Sequence, residues 1–351
     1  MRLIKKTTLL AVAFCLVALT SQGQIVQPPL TKKLVEFSHS SPTTAQFHDS
    51  TAFYDAGPFD GITVKLSESV GGGNIFMVDE WPKVTPEAKQ KEEDMMKSIA
   101  ENTNLEHNFL VLYGASQMDW FSDKHWQRVE EQIRHGARLA KLGNFKGILW
   151  DPEAYKPGVN PWKYPEQTQA SKHSYPEYYE QARKRGRRFI QVIQEEFPGL
   201  TIHALRGISD FQTGSPFSEK ILPISDPEQA RAALENAWWG LHLPFMVGVL
   251  DEMDDDVNFI DGNEDAYYYT SALEYYQLRD IIYDQALPLI PEDRHDTYRN
   301  QYTIGHAVSV DYIVGNWAGY LDGFSYRLAG QGKVLSDEER ARWFEHNMYY
   351  A

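Results

Sequence analysis

The chain has 351 residues, 42% of them hydrophobic and 24% charged, which suits a globular protein of one large domain or two small ones. This composition excludes wholesale disorder and a collagen-like structure. The formal net charge of −15 argues against a nucleic-acid partner, because proteins that bind phosphate backbones normally carry a basic face.

The first 23 residues have the pattern of a secretory signal peptide. Arg2, Lys5 and Lys6 precede an apolar run from Thr8 to Leu19, and small residues stand just before Gln24. We expect residues 1–23 to be removed and the chain to be secreted or periplasmic. An uncleaved membrane anchor is the alternative, although the run is too short to leave a stable membrane insertion after cleavage.

The mature chain has no thiol, because the only cysteine, Cys15, lies in the predicted signal peptide. Thiol nucleophiles, zinc–thiolate sites and iron–sulfur clusters are therefore excluded. The motifs H-x-H, H-E-x-x-H, G-x-S-x-G and the phosphate-binding loop are also missing from the sequence. The prediction is a protein with no metal and no cofactor.

After a polar lead-in at residues 24–33, short β-branched or apolar runs alternate with segments of helical period. The runs predict eight strands: Leu34–Ser38, Gly61–Leu66, Phe109–Tyr113, Gly147–Trp150, Thr201–Leu205, Phe245–Leu250, Val257–Ile260 and Gly323–Tyr326. The periodic segments predict helices at Pro86–Glu101, Asp123–Leu142, Pro176–Phe197, Pro227–Trp239, Ser271–Ala286, His295–Trp317 and Ser336–Met348.

This alternation predicts an α/β fold with a parallel sheet and helices outside it. Eight strands in this length favour a (β/α)8 TIM-type barrel that forms one domain over residues 34–351. A doubly wound open sheet is the alternative. It is disfavoured because the glycine run at residues 71–73 does not make a G-x-G-x-x-G motif.

Two acidic residues follow the fourth predicted strand. Asp151 and Glu153 are two residues apart, which places both side chains on one face of an extended chain, at the carboxyl end where barrels carry their active sites. Such a pair can split its pKa values and keep one carboxyl protonated. The alternative is a helix-capping aspartate beside a solvated glutamate.

Acidic residues also follow the sixth and seventh predicted strands. Asp251 and Glu252 come after the sixth, and Asp261 and Glu264 come after the seventh, with Tyr267 close behind. A surface acidic turn is the alternative for the seventh. A calcium loop at residues 254–256 is disfavoured, because the EF-hand spacing is not met.

Polar and aromatic residues follow the other strands. We expect Trp150, Tyr155, Trp120 and His39 to contact substrate together with Asp251, Glu252, Asp261 and Tyr267, and Arg206 and Asp210 follow the fifth strand. A site of carboxylates and aromatics with few cations suits a neutral, polyhydroxylated ligand.

With its signal-like start and the segments at 150–155 and 260–264, the chain resembles the (β/α)8-barrel glycoside hydrolases over residues 34–330. In the large retaining clan of these barrels the acid/base glutamate ends strand four and the nucleophile ends strand seven. The resemblance therefore implies Glu153 as acid/base and Glu264 as nucleophile. Pro152 departs from the asparagine usual before the first glutamate. The Asp151-Pro152-Glu153 spacing also resembles barrels in which the substrate's N-acetyl group attacks.

Two functions of different classes follow, and a barrel with a structural or surface role is a third alternative. The first is a secreted glycoside hydrolase that cleaves an oligo- or polysaccharide with Glu153, Glu264 and Asp151 as catalytic residues, by retention. The second is a carbohydrate-binding barrel of the cell surface or periplasm without catalysis. A carbohydrate is the expected partner in both cases.

Overall fold

The computed structural model describes residues 32–38, 41–73, 84–114, 119–153, 160–211, 222, 226–269, 271–308 and 336–351. Contacts divide the chain into Met1–Lys33 and Leu34–Ala351, and every strand and helix below belongs to the second unit. The predicted signal peptide, His39, Tyr155 and the predicted eighth strand lie outside the described residues. Among the described helices, none combines the length and apolarity needed to span a bilayer.

Seven strands form one sheet, and each is parallel to and paired with the next in chain order. They are β1 Val35–Glu36, β2 Gly61–Lys65, β3 Phe109–Tyr113, β4 Gly147–Asp151, β5 Thr201–Ala204, β6 Asn258–Asp261 and β7 Tyr302–Ile304.

The described helices connect these strands and follow the last one. They are α1 Thr44–Asp49, α2 Thr51–Asp55, α3 Pro86–Asn102, α4 Asp123–Leu142, α5 Tyr175–Glu196, α6 Pro227–Leu234, α7 His242–Glu252, α8 Ala272–Asp280, α9 His295–Gln301 and α10 Asp337–Tyr350.

Strand order confirms the TIM-type fold class and excludes the doubly wound alternative. Parallel crossovers are right-handed, so strands that always advance in one direction place their connecting helices on one face of the sheet. A doubly wound sheet instead reverses its order at a switch point. With helices on one face only, the sheet buries its other face by curling, as it does in a barrel.

Alternation along β4 separates the two faces of the sheet. Ile148 and Trp150 belong to the large core between sheet and helices. Leu149 instead packs with Phe109 and Val111 in a smaller core on the inner face. Side chains two residues apart share a face, so Asp151 belongs to the inner one.

The segment predicted as the sixth strand, Phe245–Leu250, is wrong, because these residues belong to helix α7. Residues His242 to Leu250 are all buried. A helix that is apolar on every side has no amphipathic period, and a short apolar run of this kind reads equally well as a buried strand.

Two glycines let α7 lie directly against α5. A Cβ atom on Gly186 would stand 1.9 Å from the carbonyl oxygen of Phe245, and one on Gly248 would stand 2.0 Å from that of Arg183. Neither position has room for a side chain, so the two backbones meet at these points.

Asp251 and Glu252 were expected at a strand end, but they close helix α7. That helix joins two parallel strands, β5 and β6, so its last residues lie near the amino end of β6, away from the carboxyl ends of the strands. Asp251 forms ion pairs with Arg183 at 2.7 Å and Arg187 at 2.6 Å, and Gln191 donates to Glu252 at 3.1 Å. Both carboxylates thus fasten α7 to α5.

The predicted helix His295–Trp317 is also wrong in part. Helix α9 ends at Gln301, and Tyr302–Ile304 forms β7 against β6. The aromatic and β-branched residues at 302–304 favour a strand. Residues 309–317 lie outside the described part of the chain.

His242 is fully buried at the start of α7, among tryptophan rings. Its ring lies 4.8 Å from that of Trp162, 5.4 Å from that of Trp239 and 5.5 Å from that of Trp150. Neither ring nitrogen has a hydrogen-bond partner among the described residues. Burial, aided by the charge of Arg206, lowers the pKa of His242 to about 3.

We expect His242 to weaken the fold in acid. Between pH 6.5 and about 3 the unfolded chain binds a proton on this ring that the folded chain does not, so lowering the pH favours unfolding by up to about 1.4 kcal/mol per pH unit. Urea unfolding across this range should show a shallower pH slope in His242→Phe than in the wild type. His48→Phe, on α1, serves as the control and should keep the wild-type slope. Equal slopes in all three proteins would contradict this account.

Candidate active site

The register brings the carboxyl ends of five neighbouring strands, β3 to β7, together. Asp151 pairs with Tyr113 of β3, and Asp261 pairs with both Ala204 of β5 and Ile304 of β7. Residues that follow these strand ends therefore lie at one edge of the sheet, as the sequence predicts for Glu153 and Glu264.

Arg206, two residues beyond β5, joins the two predicted catalytic glutamates. Its Nε and Nη2 donate to Glu153 Oε1 at 2.9 and 2.5 Å, and Nη2 also lies 2.9 Å from Glu264 Oε2. The third nitrogen, Nη1, donates to Asp210 Oδ1 at 3.1 Å. One cation thus contacts three carboxyl groups.

Burial, with the neighbouring carboxylates, keeps Glu264 protonated. Burial raises the pKa of Glu264 to about 8; Arg206 opposes the rise, and the negative charges of Glu153 and Asp151 add to it. The hydroxyl of Tyr267 donates to Glu264 Oε1 at 3.3 Å and also acts against the rise. At neutral pH Glu264 is therefore mainly a proton donor.

Asp210 holds Arg206 from the side away from the glutamates. It is 3% exposed, and its second oxygen, Oδ2, accepts from the backbone N–H of Gly207 at 3.1 Å. Burial raises the pKa of Asp210 well above its usual range despite the opposing charge of Arg206, and Asp265 and Asp261 raise it further. These contacts fix the guanidinium plane.

Asp261, expected to bind substrate, is instead buried under the site. Its carboxylate accepts hydrogen bonds from the backbone and hydroxyl of Ser209 at 2.9 and 2.5 Å, from Tyr302 Oη at 2.6 Å and from Asn263 N at 3.1 Å. A Cβ atom on Gly207 would stand 2.4 Å from this carboxylate, so the residue beside Arg206 has to be glycine. Asp261 positions the loop that carries Arg206.

Asn263, the residue before Glu264, contacts His306, a residue to which no sequence pattern pointed. Asn263 adopts the left-handed conformation, with φ of 37°, which asparagine tolerates better than most residues. Its side-chain amide lies 2.8 Å from Nδ1 of His306. His306 follows β7 and was hidden by the wrong helix prediction there; recognition of β7 would have placed it at a strand end.

Asp151 contacts the site from the inner face. It is 2% exposed, and its Oδ1 accepts from the backbone N–H of Glu153 at 3.1 Å, which fixes the turn out of β4. Burial, with the charges of Asp151 and Glu68, raises the pKa of Tyr113 to about 12. Asp151 thus holds the backbone of Glu153 and adds a negative charge that acts on Glu264.

Two tryptophans expected to contact substrate are core residues. Trp150 is fully buried, with its ring 5.0 Å from that of Phe189 on α5. Trp120 is 1% exposed and donates from Nε1 to the carbonyl of Pro161 at 3.1 Å. Both stand in the layer between the sheet and the helices.

No family model matches the chain, and no curated protein matches it either. Among solved structures it is similar to a GH5-4 broad specificity endoglucanase from an uncultured bacterium. The likeness covers 86% of this chain and 84% of the other at 9% identity, with a TM-score of 0.34. Within the described residues, no group of three histidine, cysteine or acidic side chains is placed to hold a metal ion.

Replacing Asp261 tests its structural role. Asp261→Ala leaves four buried donors without their acceptor, and we expect it to lower the free energy of unfolding by about 3 kcal/mol or more. Asp255→Ala, in the exposed turn before β6, should change it by less than about 0.5 kcal/mol. Urea denaturation of both variants gives the comparison. If Asp261→Ala were as stable as Asp255→Ala, the carboxylate would not hold this loop.

Proposed function

We propose that the chain is a glycoside hydrolase in which Glu153 and Glu264 act on the bond between two sugars. The observation that carries this proposal is their shared contact with Arg206 Nη2, at 2.5 and 2.9 Å. These two contacts limit the distance between Glu153 Oε1 and Glu264 Oε2 to about 5.4 Å. Carboxyl groups about 5–5.5 Å apart are typical of retaining enzymes, whereas inverting enzymes need about 6.5–9.5 Å to admit a water.

The electrostatics favour a division of roles opposite to the one that the resemblance implies. Glu264, with a pKa of about 8, carries a proton at neutral pH, as a general acid must. Glu153 accepts two hydrogen bonds from Arg206, which is the acceptor role of a carboxylate. We therefore assign Glu264 as the acid and Glu153 as the nucleophile.

The reaction then has two steps. In the first, Glu264 gives its proton to the glycosidic oxygen, the bond from that oxygen to the anomeric carbon breaks, and a Glu153 oxygen bonds to this carbon. In the second, water attacks the same carbon, the bond to Glu153 breaks, and the ionised Glu264 takes a proton from the water. The proton donor is restored at the end.

The substrate in this proposal is a neutral oligo- or polysaccharide, because Arg206 already contacts Glu153, Asp210 and Glu264 and so offers little positive charge to an anionic sugar. Export follows from the signal-like pattern of residues 1–23. The neutral substrate is tested by assays on a panel of polysaccharides, and export is tested by the mass of the exported protein.

A carbohydrate-binding barrel without catalysis is the second candidate, and one observation favours it. Arg206 contacts both glutamates, so it has to give up contacts before either can react. Release of reducing sugar from any polysaccharide in a panel would exclude this candidate, and binding without release would support it.

Removing the proton donor should slow turnover strongly. We expect Glu264→Gln to lower kcat/KM at least about a hundredfold, the usual contribution of general acid catalysis. Glu252→Gln, at the far end of α7, is the matched control and should keep wild-type activity. A Glu264→Gln enzyme of full activity would exclude Glu264 as the acid.

Azide separates the two roles. With Glu264→Ala the product should be a glycosyl azide of retained configuration, and with Glu153→Ala one of inverted configuration, because azide replaces the missing group in each case. The reverse pattern would restore the roles that the resemblance implies.

The pH profile reports the acid. Because the active form of Glu264 is protonated, kcat/KM should fall as the pH rises through about 8. Tyr267→Phe removes a hydrogen bond that lowers this pKa, so the midpoint should move to higher pH. Initial rates from pH 5 to 10 give both curves. A midpoint that stays fixed or moves down in Tyr267→Phe would contradict the assignment.

A further inference from the structure

Trp238 exposes half of its surface, unlike the other tryptophans nearby. It is 51% exposed, whereas its neighbour Trp239 is 6% exposed and Trp162 is fully buried. Leaving a large aromatic ring in water forgoes the stabilisation that burial gives. The exposed ring therefore has no explanation in the packing of the core.

The backbone around this ring is held firmly. The carbonyl of Trp238 accepts from Asn160 Nδ2 at 3.0 Å. Asn160 is 4% exposed and also accepts from Trp162 N at 2.9 Å and, through its carbonyl, from Gln167 Nε2 at 2.7 Å. The backbone that carries the ring is thus positioned before any ligand arrives, which lowers the entropy cost of binding.

Trp238 also lies at the same end of the sheet as the glutamates. It stands four residues before α7, whose start is at the carboxyl end of β5 because the helix connects two parallel strands. Its neighbour Trp239 confirms this position, since its ring lies 6.0 Å from the guanidinium of Arg206. Trp238 is thus next in the chain to a residue whose ring lies beside Arg206, the partner of both glutamates.

The charges around the Trp238 ring favour an uncharged ligand. The ammonium of Lys163 lies over the indole at 5.3 Å and is itself paired with Glu166 at 2.8 Å, so the cation is neutralised and leaves no net charge for an anion. Aromatic faces attract the polarised C–H groups of a sugar ring, and the neighbouring site offers carboxyl groups for its hydroxyls.

We infer that Trp238 is a sugar-stacking platform that binds a pyranose ring of a neutral polysaccharide beside the Glu153–Arg206–Glu264 site. This inference rests on the proposed function for the identity of the ligand. It adds a subsite outside the reacting bond, so the protein recognises a chain of several sugars.

The test measures binding apart from turnover. Native gels are cast with hydroxyethyl cellulose, barley β-glucan, xylan or galactomannan, and every protein carries Glu264→Gln so that the polymer stays intact. The parent should be retarded by at least one polymer. Trp238→Ala should bind that polymer about five- to tenfold more weakly, and Trp238→Phe, which keeps a ring, should lie between them.

Phe53→Ala is the matched control, because Phe53 is an exposed aromatic on α2, with 75% of its surface in water. It should migrate like the parent. Thermal melting of each variant shows whether the fold is intact. Retardation that is unchanged in Trp238→Ala, or no retardation of the parent by any polymer, would overturn the inference. So would a loss of self-association in Trp238→Ala without any change in polymer binding.

The inference and the proposed function can fail separately. If the wild type releases no sugar but retardation depends on Trp238, the platform stands and the hydrolase does not. If the wild type releases sugar and Trp238→Ala is retarded like the parent, the hydrolase stands and the platform does not.

Discussion

The candidate site depends on the ion pairs that the buried guanidinium of Arg206 forms with three carboxyl groups. Its three nitrogens contact Glu153, Asp210 and Glu264, so a single positive charge organises groups from three loops. An ion pair buried this deeply costs desolvation free energy and is maintained only where each partner is satisfied. Here burial raises the pKa of Glu264, the charges of Glu153 and Asp151 add to the rise, and Arg206 does not cancel it, which makes this glutamate an acid.

Most of the fold could be predicted from the sequence, because its local signals agree with the final structure. Helix Asp123–Leu142 has the predicted bounds, since its apolar stripe and its Ser122 cap are both local features. Helix α7 was read as a strand because its burial on all sides comes from tertiary packing against α5, which no local period records. Strand β7 was also missed, because only three residues are extended there and the helical pattern around them covers this short segment.

The sequence predicted which residues form the candidate site better than it predicted the contacts between them. Glu153, Glu264, Tyr267 and Asp151 are at one end of the sheet, as their positions after strands indicated. Asp261 follows β6 as well, but it ends on the outward face, because alternation along the strand decides which side a carboxylate enters. Arg206 was recognised as a residue after β5, yet its role as a bridge depends on distances between loops that no spacing in the sequence encodes.

The glycine contact between α5 and α7 has a consequence for how the chain reaches its fold. Nine consecutive residues, from His242 to Leu250, are covered only once α7 lies against α5 and the sheet. Before that docking the segment is an apolar surface of the kind that draws chains into aggregates. Helix α5 is made first during synthesis, so the segment meets a finished partner as it emerges. A bulkier residue at Gly186 or Gly248 would delay the docking of α7 against α5. The segment would then stay exposed for longer, and the yield of soluble protein would fall.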